Sequence, residues 1–148
     1  MDNRSGRIIS LFLKPGHGRS MQVANQVIAE DGQGFVGDIN YGRRLRQVLL
    51  IEKETLDEFG LVPGQVRENV TVSGLALAKL PAGTTLQAGD VTLEVTGDCA
   101  PCQFLEGIQP GLQTKLAGRR GMLCRVVGGG TLRVGEAIRF EKPPMATD

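Results

Sequence analysis

Residues 83–95 read GTTLQAGDVTLEV, and the last five of them, VTLEV, alternate apolar and polar side chains. Strict alternation is typical of a strand with one buried face. The same Thr-Leu-x-x-Gly-acid pattern, again followed by alternating apolar residues, occurs in GGTLRVGEAIRF at 129–140. Two such turn-and-strand segments indicate antiparallel strands at short spacing, as in a β-barrel or a sandwich.

The other periodic segments extend this mainly β pattern. RIISLFLK at 7–14 is almost continuously apolar, and RLRQVLLI at 44–51 alternates before it becomes apolar, so both are predicted to be strands. A short helix is expected after residue 51, with Gly60 just beyond its end, and another between residues 110 and 118. Long helices never alternate regularly with strands, so we predict a barrel with a few short helices rather than a doubly wound sheet.

The segment 21–37 carries a weaker pattern. Val23 and Val27 stand four residues apart, which is the spacing of one helix face, and glycines follow them. This spacing predicts one or two helical turns before the glycines.

Composition sets the limits on size and partners. The 148 residues fit one domain, 1–148, with a core at 7–140 and a polar, flexible tail at 141–148. With 17 Lys and Arg against 16 Asp and Glu, the formal net charge of +1 gives no overall attraction for nucleic acid or an anionic membrane. No leader peptide or apolar run of about 20 residues is present, so a cytoplasmic protein with reduced thiols is expected.

The segment GDCAPC at 97–102 is compatible with a metal site, a redox pair, a sulfur carrier or simple packing. A structural zinc ion requires four ligands, and only Cys124 and His17 remain to complete the set. A thioredoxin-like dithiol requires a βαβ unit, which the pattern lacks. We therefore expect Pro101 to present Cys102 as a functional thiol at a strand end, and Cys124 to pack in the core.

Basic residues cluster near glycines in three places. These are KLAGRRG at 115–121, Arg67 in RENV, and YGRRLRQ at 41–47. Three separate clusters predict a local pocket for a small anionic ligand, and cations near a cysteine favour its thiolate. Asp38 follows a glycine and is expected in a turn.

Read together, several segments resemble a stand-alone MOSC domain, the family named for the C-terminal domain of molybdenum cofactor sulfurases. The likeness spans residues 7–140. Its most specific elements are Arg-Glu-Asn at 67–69, Pro-Cys at 101–102 and Gly-Arg-x-Gly at 118–121, and the segments that carry it are GFVGD, RRLRQVLLIEKETLDEFGL, PGQVRENVTVSGLAL, LPAGTTLQAGDVTLEVTGDCAPC and GRRGMLCRVVGGGTLRVGEAI.

The resemblance implies a fold similar to the barrel domain of pyruvate kinase and a link to the molybdenum-pterin cofactor or to sulfur delivery. The family's signature cysteine falls on Cys102, which would carry sulfane sulfur or ligate molybdenum. Arg67 and Arg119 would hold anionic groups such as the pterin phosphate. Asn69 would hydrogen-bond the ligand or brace its loop, and Asp38 would orient an arginine.

Several functions stay open at this point. The chain lacks the large sulfurase domain, so pyridoxal phosphate would act only through a partner such as a cysteine desulfurase; a molybdoenzyme is the other expected partner. The module would be a sulfurtransferase or sulfur carrier, a non-catalytic binding module for a cofactor or partner, or a molybdenum-dependent component that reduces N-hydroxylated compounds. Cys99 would cap a persulfide as a reversible disulfide or be a spectator.

Overall fold

The protein is mainly β, as the sequence predicts. The computed structural model describes residues 5–78 and 80–141, and this part of the chain forms strands joined by short loops with little helix. The strands are β1 (Ser5–Leu13), β2 (Gln22–Ala24), β3 (Gln26–Glu30), β4 (Gly34–Phe35), β5 (Val48–Glu52), β6 (Val70–Ser73), β7 (Thr85–Ala88), β8 (Val91–Asp98), β9 (Met122–Gly128), β10 (Gly130–Arg133) and β11 (Ala137–Phe140). The helices are α1 (Lys53–Glu58), α2 (Leu112–Lys115) and a 3-10 helix at Gln103–Gly107.

Seven of these strands close into a barrel. Their order is β1-β11-β7-β8-β9-β5-β6, and β6 pairs with β1 to complete the ring. Neighbours are antiparallel except β5 and β6, which run parallel. The pairing of β1 with β11, with Ser5 opposite Arg139, closes the sheet, and closure removes the edges that an open sheet exposes.

Two smaller elements lie outside this ring. β2 extends the sheet beside β1, and β10, β3 and β4 form a separate three-stranded sheet. The segment 83–95 forms the predicted hairpin, in which Leu86 of β7 faces Leu93 of β8. The segment 129–140 also forms two strands, but β10 joins β3 and β11 joins the barrel, so the two sequence echoes differ in their pairing.

The barrel core is aliphatic, as the composition indicates. Val91, Leu93 and Val95 of β8 are at most 1% exposed, which confirms the alternation that predicted this strand. Leu50 and Met122 join the same cluster from β5 and β9. The apolar face of each strand therefore points into the barrel.

The predicted strand at 7–14 and the two short helices are confirmed. α1 is followed by Gly60 as expected, and α2 lies between residues 110 and 118. Of the predicted strand at 44–51, only the apolar second half is β structure, in β5. Residues 44–46 are an exposed loop, and Gln47, just before the strand, is already buried.

The helical turns predicted within 21–37 are wrong. This segment forms β2, β3 and β4, with a break at Asn25 between the first two. Val23 is 76% exposed whereas Val27 is buried. The two valines thus belong to different strands, and their spacing of four residues does not mark one helix face.

A second apolar cluster lies outside the barrel, where the helices pack against β5. It joins Ile51 to side chains of both helices and of the loops beside them, namely Leu56, Leu61, Val66, Leu105, Leu112 and Leu116. This packing brings the loops at 61–69, 99–105 and 116–121 to one side of the barrel. These loops carry the spacing elements on which the family resemblance rests.

Of the predicted tail at 141–148, only Glu141 lies among the described residues. Within residues 5–78 and 80–141, no helix has the length and apolar character that crossing a bilayer requires.

Gly121 is predicted to tolerate no side chain, because an added Cβ would clash with a neighbouring strand as well as strain the backbone. Its φ is +126°, and an added Cβ would lie 2.4 Å from the carbonyl oxygen of Leu50. Gly83 also has a positive φ, but an added Cβ there would meet no atom within 4 Å. Left-handed backbone costs roughly 1–2 kcal/mol for an L-residue, and overpacking adds about 1–3 kcal/mol.

Gly83→Ala should therefore lower the free energy of unfolding by about 1–2 kcal/mol, and Gly121→Ala, which adds the clash to the strain, by about 2–5 kcal/mol. Urea denaturation of the two variants measures the difference. Equal losses would show that β5 and β9 are not packed as described.

Candidate functional site

Cys102 is the exposed cysteine among the three. It directly precedes the 3-10 helix and has an extended backbone, with φ −126° and ψ 168°. Cys99 is 7% exposed and Cys124 is fully buried, and all three are free thiols. Cys124 packs in the barrel core as predicted, and burial raises the pKa of its thiol. Cys102 is therefore the most accessible of the three thiols, although Cys99 also lines the cavity onto which Cys102 opens.

Cys102 opens into a cavity of about 490 Å³ on the outer side of the barrel. This volume falls within the roughly 300–1,000 Å³ of small-molecule sites. The lining residues all belong to the described part of the chain and include no Asp or Glu. Five of them are cationic, and His17 lies beside them: the cations are Lys14, Arg43, Arg46, Arg67 and Arg120.

This concentration of charge is local. The whole chain has a formal net charge of only +1, so the acidic residues that balance these cations lie elsewhere. A concave surface of one sign focuses the electrostatic field and raises the local concentration of oppositely charged ligands. The cavity is thus suited to an anion, as the three basic clusters predict.

Arg120 is the most buried of these cations. It is 5% exposed, and its Nη2 donates a hydrogen bond to the carbonyl oxygen of Val66 at 2.7 Å. Its Nε and Nη1 have no hydrogen-bond partner among the described residues. Leaving buried donors unpaired is costly, and a guanidinium with free donors on a cavity wall is suited to hold a carboxylate, phosphate or similar oxyanion.

Arg119, the arginine that the sequence analysis selected, lies outside this cavity. Its guanidinium donates to both carboxylate oxygens of Glu58, at 3.0 and 2.6 Å, and lies 5.4 Å from the centroid of the Phe59 ring. Hydrogen bonding from Arg119 lowers the pKa of Glu58. Arg119 lines a different cavity, so the structure brings Arg120, and not Arg119, to Cys102.

Arg67 does reach the cavity, and its backbone is unusual. Its φ of +66° makes it the one non-glycine with a left-handed conformation among the described residues. Its Nη2 donates to the carbonyl oxygen of Arg19 at 3.2 Å, and its guanidinium lies 5.7 Å from the centroid of the Phe104 ring. Such conformations cost roughly 1–3 kcal/mol and concentrate at functional sites, where the surroundings hold them in place.

Asn69 is buried and fully engaged. Its Nδ2 donates to the carbonyl oxygen of Phe12 at 3.1 Å and to Asp38 Oδ1 at 3.0 Å, and its Oδ1 accepts from the backbone N–H of Leu49 at 3.0 Å. One side chain thus joins β1, β5 and the Asp38 turn. Of the two roles predicted for Asn69, this geometry is that of a brace.

Asp38 supports the same corner from behind. Its carboxylate accepts from the backbone N–H groups of Lys14, at 2.7 Å, and Asn40, at 3.0 Å, in addition to Asn69. Among the described residues Asp38 hydrogen-bonds no arginine, so it orients Asn69 and the backbone beside Lys14 instead. The Asn40 contact is the local turn bond that Asp is suited to make.

The electrostatic character of the cavity is visible in Lys14. Partial burial is the main cause of a lowered pKa for its ammonium group, and the charges of Arg67 and Arg120 lower that pKa further, whereas Asp38 raises it. The positive charge on Lys14 is thus disfavoured because two guanidinium groups already lie nearby. The cavity is therefore positive even at the position of its lysine.

Glu68 fixes the loop that carries Arg67. Its carboxylate is fully buried, and Oε2 accepts from the backbone N–H of Gly64 and from the Thr71 hydroxyl, both at 2.7 Å. Its Oε1 has no partner among the described residues. Burial raises the pKa of Glu68, although these hydrogen bonds and the charge of Arg120 act in the opposite direction.

The pair Cys99 and Cys102 lacks the conformation of a dithiol oxidoreductase. Residues 99–102 form neither a turn nor a helix, whereas such motifs begin a helix. The backbone N–H of Cys99 instead donates to the carbonyl oxygen of Gly121 at 2.8 Å. Across residues 5–78 and 80–141, no group of three or more His, Cys, Asp or Glu side chains is arranged to hold a metal ion.

Lys14 and Phe104 line this cavity although the sequence analysis did not propose them. His17, considered there only as a zinc ligand, and Arg120, from the basic segment 115–121, line it too. Lys14 ends the first predicted strand, and Phe104 is an exposed aromatic side chain two residues after Cys102, at 44% exposure. Those positions are signals that could have selected them. No comparable sequence signal distinguishes Arg119 from Arg120, because the two arginines are adjacent in the same glycine-flanked segment.

Fold, cavity and thiol together define a small barrel module that presents a cysteine in a cationic pocket. Residues 39–139 match the MOSC domain family model, and the chain belongs to this family. No curated protein matches the chain by sequence.

Solved structures show the same fold. The YUAD protein from Bacillus subtilis superposes with a TM-score of 0.80 at 21% identity, covering 92% of this chain and 95% of that one. YiiM from Geobacillus stearothermophilus has a TM-score of 0.72 at 19% identity, with 95% and 77% covered. YiiM from Escherichia coli has a TM-score of 0.68 at 17% identity, with 96% and 72% covered.

The buried carboxyl of Glu68 gives a prediction about pH. Because its pKa is raised in the folded protein, folding favours the protonated form. The stability that it contributes is fully present below its ordinary pKa of 4.5 and is lost as the pH rises through the raised value. Glu68→Gln keeps an oxygen acceptor and removes the ionisation.

Glu68→Gln should therefore gain stability relative to the unaltered protein as the pH rises from about 4 to about 8. Chemical denaturation at several pH values measures this, with Glu141→Gln as the control for removing an exposed carboxylate. A stability difference that does not change with pH, or that changes in the other direction, would contradict the raised pKa.

Proposed function

We propose that this MOSC domain binds the molybdenum-pterin cofactor in the cationic cavity and uses the Cys102 sulfur there as a sulfane sulfur carrier or a metal ligand. One observation carries the proposal. The exposed thiol of Cys102 opens into a cavity whose lining holds five cationic side chains and no carboxylate.

The residues present fit the anionic part of such a cofactor. Arg120 lines the cavity and has two buried donors without a partner among the described residues, and Arg67 lines the same cavity. An arginine fork binds a phosphate through two parallel hydrogen bonds, and such charge-assisted bonds are about twice as strong as neutral ones. Asn69 and Glu68 hold these segments in place and have no need to touch the ligand.

The thiol fits the metal part. A deprotonated cysteine sulfur is a soft ligand and a nucleophile, and both roles require access from the solvent. When bound, the cofactor would supply a molybdenum atom that accepts soft sulfur ligands. In that arrangement Cys102 would be the ligand on this chain, because Cys99 is mostly buried and Cys124 is enclosed in the barrel.

The carrier role has a balanced first step. The Cys102 thiolate attacks the outer sulfur of a persulfide on a partner protein, the sulfur–sulfur bond of that persulfide breaks, and the partner leaves as a thiolate. The product is a persulfide on Cys102, with no net oxidation or reduction. A cysteine desulfurase is the class of partner that would supply the persulfide, and pyridoxal phosphate would belong to that partner.

The cationic lining assists this step. A persulfide on Cys102 carries negative charge on its terminal sulfur, and the surrounding guanidinium groups stabilise that charge in a partly enclosed site. Cys124 has the same side chain but no opening to solvent. It is therefore the matched control within the same chain.

Loading the protein with polysulfide should place cyanide-reactive sulfur on Cys102. We expect stoichiometric labelling of the unaltered protein and of Cys124→Ser, and loss of the label in Cys102→Ser, because only the exposed thiol can be reached. Cyanolysis with colorimetric detection of thiocyanate measures this. A label that persists in Cys102→Ser would overturn the carrier role, and cofactor binding without any label would leave a non-catalytic binding module.

Anion binding should depend on Arg120 and not on its neighbour. Hydrogen bonds to charged groups contribute about 1.5–3 kcal/mol, so Arg120→Met should weaken the binding of inorganic phosphate by about tenfold or more. Arg119→Met replaces the adjacent residue outside the cavity and should leave the affinity unchanged. NMR titration with phosphate measures both.

Arg120→Lys separates binding from folding, since lysine keeps the charge but loses the fork. We expect intermediate affinity and thermal unfolding close to that of the unaltered protein. If Arg119→Met weakened phosphate binding as much as Arg120→Met, the assignment of the cavity would be wrong.

A further inference from the structure

A second cavity, of about 390 Å³, lies at one end of the barrel. Glu52 ends β5, Asp98 ends β8 and Met122 begins β9, and all three side chains line it. Leu77 and Met122 belong to the barrel core, so the cavity opens directly onto that core. The proposed function makes no use of it. We name it the barrel-mouth cavity.

We propose that the barrel-mouth cavity is a separate binding site for a small organic cation, namely an amine carried on an apolar ring or chain. This site is independent of the proposed role of Cys102.

The body of the ligand follows from the walls. Apolar side chains from the β6–β7 loop and from β9 line the cavity, with Leu80 packed against the core cluster beside Leu77 and Met122. The mouth of a β-barrel is one of the places where small-molecule sites preferentially occur. Burying apolar area there contributes about 25 cal/mol per Å², which favours a ring or a branched chain over a bare ion.

The charge of the ligand follows from the rim. Glu52 and Asp98 place two carboxylates on the cavity, and the Glu52 Oε2 accepts from the backbone N–H of Leu77 at 2.9 Å, which fixes the wall. Arg119 is the one cation among the described lining residues, and both of its terminal nitrogens are held by Glu58. Among the described residues of the rim, two carboxylates thus stand against one guanidinium that is already paired, and this excess of negative charge is complementary to an ammonium group.

The two cavities stand on opposite sides of a shared wall. Along that wall Asp98 faces the barrel-mouth cavity and Cys99 faces the cationic one, and no residue lines both. In the same way, Arg119 and Met122 line the barrel-mouth cavity, whereas the residues that follow them, Arg120 and Leu123, line the cationic one. One wall therefore separates a site suited to cations from a site suited to anions.

Gly97 allows this cavity to be blocked with little disturbance. It lines the cavity, its backbone is not left-handed, and an added Cβ would meet no atom within 4 Å. Gly97→Leu should therefore place a side chain in open space at the cavity without a clash. Gly107 has the same two properties and lines neither cavity, so Gly107→Leu is the matched control.

The test is an NMR titration of the full chain with benzylammonium, benzyl alcohol and benzoate. We expect benzylammonium to shift the amide signals of Gly97, Asp98 and Gly121 in a saturable way. An exposed charge pair contributes up to about 1 kcal/mol, so benzyl alcohol should bind about fivefold more weakly, as should benzylammonium to Asp98→Asn. Gly97→Leu should abolish the shifts, and Gly107→Leu should retain them.

Three results would overturn the proposal. They are the absence of saturable shifts at the barrel mouth, binding of benzoate there as tight as that of benzylammonium, and unchanged binding in Gly97→Leu. The signals measured belong to Gly97 and Gly121 and not to Cys102, so this titration tests the barrel-mouth site independently of the sulfur-carrier experiment.

Discussion

The mutual repulsion of five cationic side chains around one cavity is the constraint on which this side of the molecule depends. At an effective dielectric constant of about 20, two like charges about 6 Å apart repel by roughly 3 kcal/mol. Asp38, which is buried behind the lining, offsets part of this repulsion and raises the pKa of Lys14.

The barrel supplies the rigidity that such an arrangement requires. Asn69 ties β1 to β5 and to the turn at Asp38. Glu68 fixes the loop that contains the preceding residue, Arg67, whose backbone is left-handed. Closure of the sheet between β1 and β11 keeps these strands in place. In the Arg-Glu-Asn element, Arg67 and Asn69 thus line the cavity, and Glu68 and Asn69 hold the surrounding segments in place.

Much of the fold could be predicted from the sequence because alternation is a local property. The pattern at 91–95 predicts β8, and the turn before it predicts the β7–β8 hairpin. The prediction for 21–37 failed because a one-residue break at Asn25 places Val23 and Val27 in different strands. No local sequence signal distinguishes such a break from a continuous helical turn.

The site was harder to predict for a physical reason. Cys102, Arg67 and Asn69 were found from their spacing elements, and the structure brings them together. Arg119 and Arg120 are adjacent, and only the tertiary packing of the loop decides that Arg119 pairs with Glu58 whereas Arg120 lines the cavity of Cys102. Lys14 reaches the cavity from a distant part of the sequence, and Phe104, although two residues from Cys102, belongs to none of the spacing elements.

The most direct test of the account compares two alkylating reagents that differ in charge. In Cys99→Ser/Cys124→Ser, where Cys102 is the remaining cysteine, the rates of alkylation by iodoacetate and by iodoacetamide are measured at low and at high salt. Electrostatic focusing predicts that the ratio of the two rates exceeds that of N-acetylcysteinamide by about tenfold at low salt and falls as salt is added. A ratio equal to that of the small thiol, unchanged by salt, would contradict the claim that Cys102 opens into a cationic cavity.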